Sequence, residues 1–239
     1  MERWNDRTIL LIGEQKTDIL RKSHILIAGA GGVGAMAAEM LGRAGIGSFT
    51  LVDNDTLHTT NRNRQIHAMA DNEGLLKVKA MESRLRLINP EVEVQVCDTY
   101  LVNEEIPVIL EQPFDFVIDA IDTLGPKVFF IYHTLQKGYP LVSSMGSGGK
   151  IDPTQVQVAD IGKTHHCNFA SDIRKRLHKL GVYSGFQAVF SPEEVPSDAI
   201  RITEHDRNKK SIPGTISYMP AIFGIYCAWT AIRELTGKQ

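Results

Sequence analysis

The sequence lacks any pair of cysteines at C-x-x-C spacing. Its three cysteines, Cys97, Cys167 and Cys227, lie far apart along the chain. This distribution argues against a disulfide framework and against a zinc site built from four thiolates. We also expect no secretory signal peptide, because residues 1–7 are rich in charge and the apolar run at 9–12 is too short. We therefore expect a cytoplasmic protein.

The sequence also lacks a large net charge of either sign. The 26 basic and 28 acidic residues give a net charge of −2. The whole molecule therefore offers no general attraction for nucleic acid, and such a partner needs a local basic patch. Residues 163–210 provide a modest one, since nine Lys and Arg outnumber six Asp and Glu there.

No apolar run of membrane-spanning length is free of helix breakers. Residues 212–232 carry no charge, but two prolines and two glycines interrupt them. These interruptions favour a buried C-terminal helix that starts near Tyr218 over a membrane span. With 43% hydrophobic and 23% charged residues, the composition is that of a soluble globular protein with a sizeable core. We expect no membrane partner.

The strongest positive signal is a glycine-rich turn between an apolar run and a helical pattern, within residues 24–41. The turn contains Gly29, Gly31, Gly32 and Gly34. Glycine lets the backbone turn sharply and approach a phosphate, while the N–H groups at a helix start favour an anion. We expect this turn to bind a nucleotide. The spacing alone does not separate a mononucleotide from a dinucleotide.

Strand-like and helix-like patterns alternate around this turn. They predict a Rossmann-like, doubly wound α/β fold with a mainly parallel sheet, and we expect one nucleotide-binding domain over residues 1–239. Further predicted strands lie at 49–52, 92–96, 114–119, 140–144 and 155–159, and predicted helices at 14–22, 33–44, 75–88 and 124–137. Residues 160–213 read as a polar, irregular insertion with a short basic helix at 173–180, followed by the C-terminal helix.

Polar residues follow two of the predicted strands. Asp53 lies about 20 residues beyond the glycine turn, where a carboxylate binds ribose hydroxyls in dinucleotide folds. Asp122 follows the strand at 114–119. Because the carboxyl ends of parallel strands line one crevice, both carboxylates should face the glycine turn. The intervening segment 56–65 is too long and polar for a simple connection, which indicates a functional loop.

The motif D-x-D-x-L-x-x-T-N-x-x-R-Q over residues 53–65, followed by Lys77 and Asp122, resembles the ThiF/MoeB/HesA family of carboxylate-adenylating enzymes, relatives of the ubiquitin-activating enzymes. The resemblance implies that the glycine turn and Asp53 bind ATP and that Asp122 binds Mg²⁺. It further implies that the phosphates are held by Asn61, Arg64 and Lys77, and that Gln65 also belongs to the cofactor-binding site. Arg64, Lys77 and Asp122 are thereby expected to be catalytic.

Within the family, the motifs at 13–15, 61–67 and 151–158 are similar to those of the branch that dehydrates threonylcarbamoyladenosine in tRNA. Members that activate sulfur-carrier proteins usually hold zinc through two C-x-x-C pairs, so the missing pairs favour the dehydratase branch without zinc. The resemblance thus implies ATP-dependent adenylation of the threonine carboxylate, followed by cyclising dehydration. Activation of the C-terminal carboxylate of a small ubiquitin-like or sulfur-carrier protein is the alternative.

A hypothesis from another functional class is an NAD-dependent oxidoreductase or a nucleotide-sensing module built on the same glycine turn. The residues expected to hold phosphates and magnesium disfavour this hypothesis, since hydride transfer needs neither a phosphate clamp nor a magnesium ligand. The resemblance also implies a homodimer in which an N-terminal arginine reaches the partner's ATP site. We expect Arg7, rather than Arg3, to be this catalytic arginine. A sulfur-transfer protein is a further candidate partner.

Two features of the segment after residue 160 remain open at this point. Arg174, Arg176 and Lys179 either contact tRNA phosphates or form a solvated helix face. Cys167 is either a nucleophile, a metal ligand or a residue without a chemical role, although three adjacent residues His-His-Cys cannot easily wrap one ion. The other two cysteines lie in apolar surroundings and should belong to the core.

Overall fold

The computed structural model describes residues 3–102, 104–202 and 211–237. Strands and helices alternate along the chain, as the sequence patterns predict. The strands are β1 (His24–Ala28), β2 (Ser48–Val52), β3 (Glu93–Cys97), β4 (Phe116–Asp119), β5 (Leu141–Ser144), β6 (Gln157–Asp160), β7 (Gln187–Phe190), β8 (Ile200–Ile202) and β9 (Ser211–Pro213). The α-helices are α1 (Asp6–Ile12), α2 (Glu14–Lys22), α3 (Gly32–Ala44), α4 (Lys77–Ile88), α5 (Glu105–Ile109), α6 (Leu124–Gln136), α7 (Asn168–Lys179) and α8 (Tyr218–Leu235).

Seven of the strands form one sheet in the order β3-β2-β1-β4-β5-β7-β6. All neighbours in it are parallel except β6 and β7, which pair antiparallel. The chain builds outward from β1 to β3 and then returns to place β4 beside β1. This reversal is a topological switch point, and it leaves a crevice outside the carboxyl ends of β1 and β4. The predicted mainly parallel, Rossmann-like sheet is confirmed.

Helices cover both faces of the sheet because its strands are apolar on both sides. In β1, Ile25 and Ile27 pack in the core beneath α3, α4 and α8, whereas Leu26 and Ala28 belong to the core beneath α5, α6 and α7. The C-terminal helix begins at Tyr218, as predicted, and lies against α3. In the part of the chain that the structure describes, no helix is both long and apolar enough to span a bilayer.

The segment 160–213 differs from the polar, irregular insertion that the sequence predicts. Its residues 187–190 form β7, a strand inside the sheet between β5 and β6, and Ala188 to Phe190 are fully buried. A short run that is buried on both faces has no alternation, so periodicity does not reveal it. The basic helix also begins earlier, at Asn168, and β8 and β9 pair antiparallel in a separate two-stranded sheet. Residues 203–210 of the predicted insertion lie outside the described residues.

Candidate active site

The glycine turn lies at the switch point and leaves no room for side chains. Gly29 has a left-handed φ of 94°, and a Cβ there would lie 2.7 Å from the Ala120 carbonyl oxygen. A Cβ on Gly34 would lie 1.8 Å from the Gly29 carbonyl oxygen. These contacts bring the start of α3 against the end of β4. The turn therefore presents bare backbone and a helix N-terminus to the crevice, which suits a phosphate group.

Asp53 ties the end of β2 to this turn. One carboxylate oxygen accepts a hydrogen bond of 2.7 Å from the Ala30 N–H, and the other accepts one of 2.8 Å from the Asp55 N–H. Burial raises the pKa of the Asp53 carboxyl, and the nearby Lys77 ammonium opposes the rise. An ionised carboxylate offers about four acceptor positions, so this side chain retains capacity for ribose hydroxyls.

Lys77 begins α4 and reaches back towards the end of β2. Its side chain is only 8% exposed, yet its ammonium lies 2.6 Å from a carboxylate oxygen of Asp55, whose side chain is 64% exposed. A buried stem thus carries a cation to the surface of the crevice. A bound phosphate would compete with Asp55 for this cation. The sequence motif contains Asp55, but it did not indicate this pairing.

The functional loop carries Arg64 and Gln65 across the glycine turn. The Gln65 side-chain nitrogen lies 3.9 Å from the position that a Cβ would take on Gly31. The Arg64 carbonyl oxygen lies 3.0 Å from the corresponding Cβ position on Gly32. The buried Oε1 of Gln65 has no hydrogen-bond partner among residues 3–102, 104–202 and 211–237. An acceptor in this position can receive a donor from a bound ligand.

Hydrogen bonds within the loop fix its shape. The side-chain oxygen Oδ1 of the buried Asn61 accepts a hydrogen bond of 3.0 Å from the His58 N–H. The backbone carbonyl oxygen of Asn61 accepts a second hydrogen bond, from the Gln65 N–H. The Arg64 guanidinium donates to the Thr60 carbonyl oxygen at 2.8 Å. Burial lowers the pKa of Arg64, and the opposing influence is the Asp122 carboxylate. The Asp122 carboxylate thus acts electrostatically on Arg64 although the two residues belong to different loops.

The structure thus brings six expected side chains together around the glycine turn, and we call them the crevice residues. They are Asp53, Asn61, Arg64, Gln65, Lys77 and Asp122. Arg7 does not join them within this chain. It lies on α1 and lines a separate cavity of about 800 Å³ together with Arg3, Trp4 and Arg84.

The cysteines are not grouped for metal binding. Cys167 is buried directly before α7, Cys227 is buried in α8, and Cys97 is half-buried at the end of β3. Throughout the described residues, no three His, Cys, Asp or Glu side chains are grouped so that they could hold a metal ion.

The sequence reading missed a buried ion pair beneath the crevice. The Lys127 ammonium in α6 lies 2.7 Å from the Asp119 carboxylate at the end of β4, and both side chains are fully buried. Burial raises the pKa of the Asp119 carboxyl, and Lys127 opposes that rise. The available signal was a single lysine in the otherwise uncharged first half of the helix, residues 124–131, because such a cation must find a partner when it is buried.

His67, at the end of the functional loop, is a second buried ionisable group without an assigned role. Its side chain is buried, and neither ring nitrogen has a hydrogen-bond partner within the described part of the chain. Burial lowers the pKa of His67 to about 4, and the positive charges of Lys77 and Arg84 add to the shift. The ring is therefore neutral at physiological pH.

This burial predicts a loss of stability in acid. Because the pKa of His67 is lower in the folded chain, the unfolded chain binds more protons between pH 6.5 and 4. The free energy of unfolding should fall across this range, with a contribution from His67 of about 3 kcal/mol by pH 4. Denaturant titrations at several pH values should show that the free energy of unfolding of His67→Phe depends less on pH than that of the wild type. His178→Phe, at an exposed position, should keep the wild-type dependence, and an unchanged slope in His67→Phe would contradict the assignment.

Comparison with known proteins agrees with this geometry. The model of the ThiF family matches residues 5–239. The chain is 36% identical over 240 residues to the tRNA threonylcarbamoyladenosine dehydratase of Bacillus subtilis, covering 96% of this chain and 93% of the relative. It is 37% identical over 257 residues to the Escherichia coli protein of the same name, covering 99% and 96%.

A solved structure gives the same result. The crystal structure of the Escherichia coli tRNA N6-threonylcarbamoyladenosine dehydratase in complex with ATP superimposes with a TM-score of 0.88 at 37% identity. The match covers 96% of this chain and 92% of that one. The resemblance that the motif at 53–65 indicates is confirmed, and this chain belongs to the ThiF family.

Proposed function

We propose that this protein uses ATP to adenylate a carboxylate in the crevice at the carboxyl ends of β1 and β4. The observation that carries the proposal is the convergence of the six crevice residues on the bare backbone of the glycine turn. Two of them are cations, Arg64 and Lys77, and both lie beside a carboxylate that a polyphosphate can replace or complement. Hydride transfer would need no such arrangement.

The threonine carboxylate of threonylcarbamoyladenosine in tRNA is the proposed substrate. Relatives of 36% and 37% identity over nearly the whole chain carry the name of a dehydratase of this nucleoside. Structures of the Escherichia coli relative exist with ATP and with AMP. AMP is the leaving group of an acyl adenylate, so this pair of ligands supports adenylation rather than phosphorylation.

The chemistry needs two steps. A carboxylate oxygen attacks the α-phosphorus of ATP, and pyrophosphate leaves as the acyl adenylate forms. An atom of the same modified side chain then attacks the activated carbonyl carbon and closes a five-membered ring, while the side chain releases one proton and AMP leaves with one carboxylate oxygen. Because this attack is intramolecular, its effective molarity is high and no enzyme nucleophile is required. The buried Cys167 therefore needs no covalent role.

The crevice cations act on the charge that develops during these steps. The Lys77 ammonium and the Arg64 guanidinium would stabilise the phosphate oxygens as the bond to pyrophosphate breaks. Asp53 would orient the ribose. The Asp122 carboxylate would hold Mg²⁺, which would supply further electrostatic stabilisation. One carboxylate suits this ion, since Mg²⁺ is usually bound by one or two carboxylates together with substrate phosphates and water. We propose no zinc.

Replacing the buried cation of α4 tests this function. Lys77→Ala should lower AMP formation with modified tRNA by about 100-fold or more, because a positive charge beside the phosphates is lost. Arg64→Ala and Asp122→Ala should lose activity similarly. Lys79→Ala is the matched control on the same helix, since Lys79 is half-exposed and pairs with Glu82. Wild-type turnover in Lys77→Ala would refute the proposed phosphate contact.

A homodimer is the proposed assembly. The short helix α1 buries none of its residues, and Leu10 and Leu11 are 88% and 83% exposed. Leu87, which is 86% exposed, lines the same cavity as Arg7. An apolar surface of this kind is typical of an interface between proteins. A second copy that covers it could place its Arg7 at the crevice of the first.

Light scattering and mixed dimers test this arrangement. We expect a dimer in solution, and Arg7→Ala should reduce turnover while the dimer persists. Each mixed dimer of Arg7→Ala with Lys77→Ala should recover one active site, about half of the activity of a wild-type dimer, since one crevice then receives both Lys77 and a partner's Arg7. Lack of recovery in confirmed mixed dimers would show that Arg7 does not act across the interface.

Helix α7 is the proposed tRNA contact. Its first residues adjoin the crevice, because the Cβ of Phe169 lies 3.7 Å from the Cβ position of Gly146, just beyond β5. Arg176 and Lys179 are exposed on this helix. Arg174 is only half-exposed and donates to the Thr164 hydroxyl, so it is less available than the sequence suggested.

Charge reversal tests the contact. Arg176→Glu with Lys179→Glu should weaken tRNA binding and reduce the slope of log K against log salt by roughly two. Arg21→Glu with Lys22→Glu on α2 changes the net charge equally at similarly exposed positions and should have a smaller effect. ATP affinity should remain unchanged in both variants. Equal salt slopes for the α7 variant and the wild type would leave α7 as a solvated helix face.

A further inference from the structure

The buried pair of Asp119 and Lys127 encloses the turn that carries Asp122. This turn connects β4 to α6 and lies against the glycine turn, since the Ala120 N–H donates to the Ala28 carbonyl oxygen at 2.8 Å. Ser143 donates to one Asp119 carboxylate oxygen at 2.6 Å, and the Ile121 N–H donates to the other at 3.1 Å. Both oxygens of the buried carboxylate are therefore satisfied.

The Lys127 ammonium is satisfied by the same turn. Besides the Asp119 carboxylate, it donates to the Ile121 carbonyl oxygen at 3.0 Å and to the Asp119 carbonyl oxygen at 3.5 Å. An ammonium has three donor positions, so all of them point at the two residues that frame Ala120. The carbonyl group immediately before Asp122 is thus held inward by a cation.

Stability alone does not explain a charged pair in this place. Taking two ions out of water offsets most of their mutual attraction, and well-packed apolar replacements are often no less stable. An apolar side chain, however, has no donor for the Ile121 carbonyl group. What the lysine contributes beyond packing is a fixed orientation of the backbone beside Asp122.

We propose that Lys127 is a positioning residue for adenylation. Its ammonium holds the turn Asp119–Thr123 in one conformation and thereby fixes the position of Asp122 beside the glycine turn at the edge of the crevice. Asp119 neutralises the cation so that it can remain buried. This inference rests on the proposed function, because the importance of Asp122 follows from it.

Two neutral pairs that differ by one donor group test the inference. Asp119→Asn with Lys127→Gln keeps a donor at position 127, whereas Asp119→Asn with Lys127→Met has a side chain of similar length without one. We expect similar melting temperatures. The Met pair should have a kcat for AMP formation about tenfold or more below that of the Gln pair, with KM for ATP within about threefold. Amide hydrogen exchange at residues 120–123 should be faster in the Met pair.

Equal kcat values and equal exchange rates in the two pairs would overturn the proposal. If neither pair folds, Asp119→Leu with Lys127→Met replaces them in comparison with the wild type, and wild-type kcat in that variant would overturn it as well. Failure of the proposed function gives a different result, because the wild type would then form no AMP. The exchange measurement would still decide whether Lys127 orders the turn.

Discussion

The structure depends on one close approach between two pieces of backbone. The glycine turn after β1 lies directly against the turn after β4, and the Cβ that Gly29 lacks would be 2.7 Å from the Ala120 carbonyl oxygen. Because this approach occurs at the switch point of the sheet, it fixes three things together. It sets the start of α3, the place of Asp53 beside Ala30, and the distance from the glycine turn to Asp122. The crevice is a consequence of how these strands are ordered.

Charges on the inner side of the fold keep this arrangement rigid. Glu39 in α3 is buried and accepts hydrogen bonds of 2.7 Å from Arg43 and 2.6 Å from Arg84, which joins α3 to α4. Asp119 and Lys127 act in the same way beneath the β4 turn. Lys77 differs, because its carboxylate partner Asp55 is largely exposed. Lys77 is thus a crevice cation whose carboxylate partner a phosphate can replace.

The sequence was sufficient for the central part of the fold, and it singled out the side chains that we propose as the crevice residues. The glycine spacing, the carboxylates after β2 and β4 and the loop motif all occur where local pattern and topology agree. It was insufficient for β7, because three of its four residues, Ala188 to Phe190, are buried in succession and carry no periodicity. It was also insufficient for Lys127, since a lysine on a helix is ordinarily exposed and only the tertiary structure supplies Asp119. Helix α1 was missed because its apolar residues 9–12 are consecutive and show no helical periodicity.

The most direct test of the account follows the oxygen atoms of the substrate. Transfer RNA whose threonylcarbamoyladenosine carries ¹⁸O in the threonine carboxylate is incubated with the protein and ATP, and the products are analysed by mass spectrometry. Adenylation followed by ring closure predicts AMP that contains one ¹⁸O and a dehydrated nucleoside that retains the other. Label in inorganic phosphate, or unlabelled AMP beside an unchanged nucleoside, would contradict the account.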